Sequence, residues 1–112
     1  AIHAVSRSYR FARRAPAAAH SDLLRPASWE ECAVDLTYED QNGGVTQRRI
    51  WPLAIVWFDH ALMCLAFCTM RQDFRRFHLE RMSGVALTNM SFRPRRVSLL
   101  RDYIAKVRAP RI

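Results

Sequence analysis

From Cys32 onward, apolar and polar residues alternate: Ala33-Val34-Asp35-Leu36-Thr37-Tyr38-Glu39. Successive side chains of a strand point to opposite faces, so this β-rich run predicts a half-buried strand. Asp40-Gln41-Asn42-Gly43-Gly44 supplies residues that tolerate the positive φ of a hairpin turn. A second strand is expected from Val45 to about Phe58. Pro52 has no N–H for the ladder, so a bulge, bend or edge is expected there. Asp59-His60 reads as a tight turn, and the almost wholly apolar Ala61–Met70 as a strand buried on both faces. Past a turn at Arg71-Gln72-Asp73, a fourth strand is expected from Phe74 to about Met82. A fifth, short strand, Val85–Met90, follows a kink that Ser83-Gly84 allows.

Both ends read as helical. Ile2, Val5 and Tyr9 form one stripe at helical spacing, and Arg7, Arg10 and Arg14 another, with Arg13 beside them. Pro16 is expected to end this helix and Ala17–Ala19 to follow as a tether. The arm either touches nucleic acid or links to a further domain, or it is a solvated helix face at a domain boundary. At the other end Ser98 is a good N-cap, and Leu99, Leu100, Tyr103, Ile104 and Val107 mark an amphipathic helix resting on something apolar. The expected organisation is a basic helical arm or linker over residues 1–28 and a β domain over residues 29–112. Its fold class is mainly β: a small five-stranded Sm/SH3-like β-barrel with a C-terminal helix. Closure is the usual way short strands avoid exposed edges.

Length and charge narrow the function. A chain of 112 residues closes one modest core and leaves no room for a deep cleft between two domains. Lysine and arginine number 18 against 10 acidic residues, a net charge of +8, and Lys106 is the only lysine. Arginine's planar fork matches phosphate oxygens two at a time and stacks on rings, so the bias favours a phosphate-bearing partner. A GC-rich genome that encodes arginine in place of lysine explains the same bias without function. The three cysteines, Cys32, Cys64 and Cys68, are odd in number. Four residues along a strand separate Cys64 and Cys68 by roughly 13 Å, beyond disulfide reach. Reduced, buried thiols are expected, as suits a cytoplasm, and their spacing matches no zinc site. No apolar run reaches the roughly 20 residues of a membrane-spanning helix. No cofactor is implied.

Catalytic patterns are missing too. His3, His20, His60 and His78 fall in no metal-ligand spacing, and the chain has no GxSxG and no Walker lysine motif. An enzyme is therefore not expected. The informative stretch is Arg71–Met82. Strand alternation puts Arg75, Phe77, Leu79 and Arg81 on one face and Arg76, His78 and Glu80 on the other. Arginines at the two ends of an apolar middle suit a base stacked on a ring with its phosphate held by a guanidinium. The same periodicity also fits arginines paired with Glu80, Asp73 and Glu39 on a solvated sheet.

Three runs carry a resemblance. They are Thr46-Gln47-Arg48-Arg49-Ile50-Trp51-Pro52-Leu53, then Ala66-Phe67-Cys68-Thr69-Met70-Arg71-Gln72-Asp73-Phe74-Arg75-Arg76-Phe77, then Leu79-Glu80-Arg81-Met82. With Tyr38 before the hairpin and Phe92-Arg93-Pro94-Arg95 before the last helix, their order and spacing resemble WYL domains from about Trp29 to Val107. The resemblance implies an Sm-like barrel that senses a nucleotide or single-stranded nucleic acid for a bacterial transcription regulator. The candidate ligand-binding residues it implies are Tyr38, Arg48, Arg71, Arg75, Phe77 and Arg81. His78 stands where the family often has another arginine. The Trp-Tyr-Leu triplet that names the family is replaced by Leu62-Met63-Cys64, which removes both rings and the phenolic hydroxyl.

Such regulators place a helix-turn-helix before the sensor, and only about 28 residues precede Trp29. The chain is therefore expected to be either an excised sensor domain or a degenerate stand-alone copy, with Ala1–Pro16 as linker helix and the DNA-reading half upstream. Two alternatives stay open. One is a nucleic-acid-binding barrel that acts directly. The other is an oligomerisation module, a homodimer joined through the Leu99–Val107 helix and strand edges.

Overall fold

A computed structural model describes residues 17–108 of the chain. The expectations for the arm up to Pro16 lie outside the described residues. Residues 17–30 form a helix, α1. The tether expected at Ala17–Ala19 is thus helical. Alanine carries the best helix propensity, and Ala17, Ser21, Leu24 and Ala27 recur on one buried face. Leu24 and Ala27 belong to the same core cluster as the strands, so α1 continues past residue 28 as part of one packed unit.

The strands are β1 (Cys32–Glu39), β2 (Val45–Phe58), β3 (Ala61–Cys68), β4 (Asp73–His78) and β5 (Met82–Ser91). All neighbours pair antiparallel, in the order β4-β3-β2-β1-β5. The register of β2 against β3 shifts between Pro52 and Ala54, the irregularity expected where proline interrupts the ladder. The chain is mainly β, but its one sheet has two edges, β4 and β5, where a closed barrel was expected. It is nevertheless strongly curled. Strands β1 and β4 are three spacings apart, roughly 14 Å in a flat sheet. Yet the rings of Tyr38 and Phe77 lie 4.9 Å apart, and the Tyr38 hydroxyl accepts the His78 backbone N–H at 2.9 Å.

The curl encloses the core. Val34, Leu36, Ile50, Cys64, Ala66 and Phe77 face inward against Leu24 of α1 and Leu79. Desolvation in this core pushes the Cys64 thiol up to about 12, so it stays protonated. All three cysteines are free. The fourth strand is shorter than expected, because Leu79–Arg81 turn into a 3-10 helix and Met82 already opens β5. Strand alternation therefore stops at His78, and the expected shared face of Arg75 and Arg81 is broken.

The last helix, α2, spans Arg96–Arg108 rather than starting at Ser98. Its first turn holds no acid of its own; the Glu31 carboxylate accepts the Arg96 backbone N–H at 2.8 Å. A negative side chain satisfies an orphan donor at a helix N-terminus whether it is local or distant in sequence. Glu31 also pairs with Arg93 at 3.2 Å, and its carbonyl accepts the Phe92 N–H at 2.9 Å. The end of α1 is thereby tied to the start of α2. Tyr103 is the only buried residue of α2 and meets Phe74 edge to face at 5.1 Å.

Candidate ligand-binding site

The polar end of the curled sheet forms around Tyr38. It closes the buried run of β1 and carries its hydroxyl across to β4. Burial raises the phenol's pKa, against the backbone hydrogen bond from His78 and the charges of Arg81 and Arg48, so the ring stays neutral. Beside it opens a hollow of about 290 Å³, lined by Tyr38, Asp40, Gln41, Met63, Arg76, His78 and Arg81. Asp40 is committed to the hairpin, since its Oδ1 accepts the backbone N–H groups of Asn42 and Gly44.

Two arginines line this hollow, Arg81 from the 3-10 turn and Arg76 from β4, the latter with its guanidinium 4.6 Å from the Phe58 ring centroid. Neither forms an ion pair among the described residues. His78 lies between them in sequence. Its pKa is lowered, first by burial and then by Arg81 and Arg76, with Glu80 opposing. The imidazole is therefore neutral at neutral pH and can donate or accept without adding charge.

The expected site residues divide into groups. Tyr38, His78 and Arg81 come together at this hollow. Arg48 acts on Tyr38 through its charge but lines a neighbouring recess with Asp35, Gln47, Arg49 and Thr69. Its Nε donates to Thr46 Oγ1 at 3.0 Å and its Nη1 to Cys68 Sγ at 3.6 Å, and no carboxylate neutralises it among the described residues. Arg71 and Arg75 are exposed and line neither cavity. Phe77 is 3 % exposed, in the core against Tyr38, and turns no open ring face to a ligand here.

Sequence reasoning missed Arg76. Alternation had set it with His78 on the face opposite Phe77, and the hollow is built from that face once the sheet curls. The triplet positions are equally clear. Cys64 lies in the core, Leu62 packs against it, and Met63 forms a wall of the hollow. Among the described residues no group of three His, Cys, Asp or Glu could hold a metal ion.

A small antiparallel β module with a cationic, tyrosine-bearing hollow is the class that this fold and site define. The WYL domain profile matches residues 19–87, and the chain belongs to that family. The fold is similar to that of proteasome accessory factor B/C (PafBC) of Arthrobacter aurescens, with a TM-score of 0.65 and 22 % sequence identity. That match covers 73 % of this chain and 13 % of that one, so the chain corresponds to a small part of its structural neighbour. No curated protein sequence matches it. No helix among the described residues is long and apolar enough to cross a membrane.

Proposed function

We propose that this chain is the ligand-sensing domain of a bacterial transcription regulator. It binds a nucleotide or single-stranded nucleic acid and performs no catalysis. The observation that carries the reading is the hollow itself: Arg76 and Arg81, without acidic partners among the described residues, beside a neutral His78 and the Tyr38 hydroxyl. Guanidinium groups left unpaired at a concave surface suit phosphate oxygens, and membership in the WYL family supports a regulatory setting. Arg48 extends the cationic field toward the adjoining recess, so a ligand longer than one nucleotide would reach it. Arg71 and Arg75 then serve as outlying phosphate contacts. The strand order, with a 3-10 turn between β4 and β5, supports reading the sheet as an opened Sm- or SH3-like barrel. The DNA-reading helix-turn-helix is placed upstream, joined through α1. Ligand acts by favouring one arrangement of the joined parts, which requires a difference in affinity between them.

Calorimetric titration with mononucleotides, dinucleotides and short single-stranded oligonucleotides tests this. Arg81→Ala should keep the fold and lose most of the binding, whereas Arg93→Ala, whose guanidinium pairs with Glu30 and Glu31, should bind as the parent does. Equal binding by the Arg81 variant and the parent would remove the hollow from consideration. A steep salt dependence, near −0.7 per phosphate neutralised on a single strand, would favour direct nucleic-acid binding over sensing of a small nucleotide.

A further inference from the structure

The C-terminal half of α2 does not finish its own packing. Where it passes β2 and β3, an apolar groove of about 290 Å³ stays open between Phe58 and Leu65 on one side and Ile104 and Val107 on the other. Phe58 is 53 % exposed, Ile104 41 % and Val107 70 %. Contiguous apolar surface of this kind marks a place of contact more often than scattered single side chains do.

Charge indicates what covers it. Arg76 and Arg108 stand on the rim of the groove, the first with its guanidinium 4.6 Å from the Phe58 ring centroid. Neither forms an ion pair among the described residues. We propose that the groove docks an acidic amphipathic segment of a partner protein, apolar side chains filling the groove and carboxylates pairing with the two rim arginines. Carboxylates meet guanidinium forks in two parallel hydrogen bonds, and apolar residues at i, i+3 or i+4 and i+7 present one continuous stripe to a groove. A second copy of this chain fits poorly. It would bring its own charge of +8 and the same rim arginines to the contact, where like charges oppose association.

The test is a displayed peptide library of about 15 residues per member, roughly four helical turns. It is selected on the chain and counter-selected on Val107→Asp. The expected winners are net negative and carry large apolar residues at helical spacing. Synthetic copies should bind the parent and lose about tenfold or more on Val107→Asp and on Arg108→Glu, both surface changes expected to leave the circular dichroism spectrum unchanged. Arg76 lines both cavities, whereas Arg81 lines only the ligand hollow, so Arg81→Ala should leave peptide binding intact, which separates this proposal from the ligand site. The proposal fails if nothing is enriched, if the winners are not acidic, or if Val107→Asp binds them equally well. It also fails if a single-stranded oligonucleotide takes the groove instead, or if the chain sediments as a dimer that Val107→Asp dissociates.

Discussion

Tyr38 carries two duties at once. Its ring fills the core beside Phe77 and its hydroxyl faces the hollow while accepting the His78 N–H. Tyr38→Phe keeps the ring and removes the acceptor, so a loss of about 1 kcal/mol in urea unfolding is expected, with weaker ligand binding. His78 gives a pH test. Its folded pKa lies below the ordinary 6.5, so the folded state binds fewer protons than the unfolded one as pH falls. The stability attached to this group is complete above about pH 6.5 and is lost as pH drops through the lowered midpoint. A bound phosphate reverses the balance by favouring the imidazolium. NMR titration should show His78 titrating below 6.5 in the free domain and higher in the complex, with affinity rising as pH falls. A midpoint unmoved by ligand would place the phosphate elsewhere. Residue types were legible here, since Tyr38, His78 and Arg81 were all expected; the neutrality of His78 was not, because it depends on burial among arginines.

At the scale of elements, period-two alternation predicted β1, and the strand expected from Val45 to about Phe58 was found as β2 with those limits. It failed between Leu79 and Arg81, where a continued strand was expected but the chain turns into a 3-10 helix. The start of α2 was misplaced for a different reason. Local pattern offered Ser98, whereas the acceptor that satisfies the first turn is Glu31, 65 residues away. Glu31→Ala should destabilise the domain by about 1 kcal/mol through loss of this cap. Amide exchange should quicken at the start of α2 first; protection unchanged there would show that Glu31 is not the cap. In α1, Leu24 is fully buried and contacts the sheet's core cluster. Leu24→Ala should cost about 2–5 kcal/mol in thermal or urea unfolding, enough to show that α1 is part of the domain's core.

For the whole molecule, the arginine-rich composition and the order of the family motifs were enough to expect a β sensing module for an anionic ligand. Those features are linear, and a sequence displays them directly. Which arginines share a hollow is a different kind of fact. Arg75 and Arg81 looked equivalent along the chain, yet one lies exposed on β4 while the other turns in beside Tyr38. Arg76, assigned to the opposite face, reaches the same hollow. Alternation assigns each side chain to a face of a flat strand, but it carries no information on how far the sheet curls. Curling comes from packing across the core, from Leu24, Phe77 and Tyr38 meeting over strands that are not neighbours. The amino-acid order by itself therefore indicated the family and most of the strands. Only the tertiary structure decided which cations converge, where α2 begins, and that the groove beside Val107 is left open, because each depends on contacts between residues far apart in the chain.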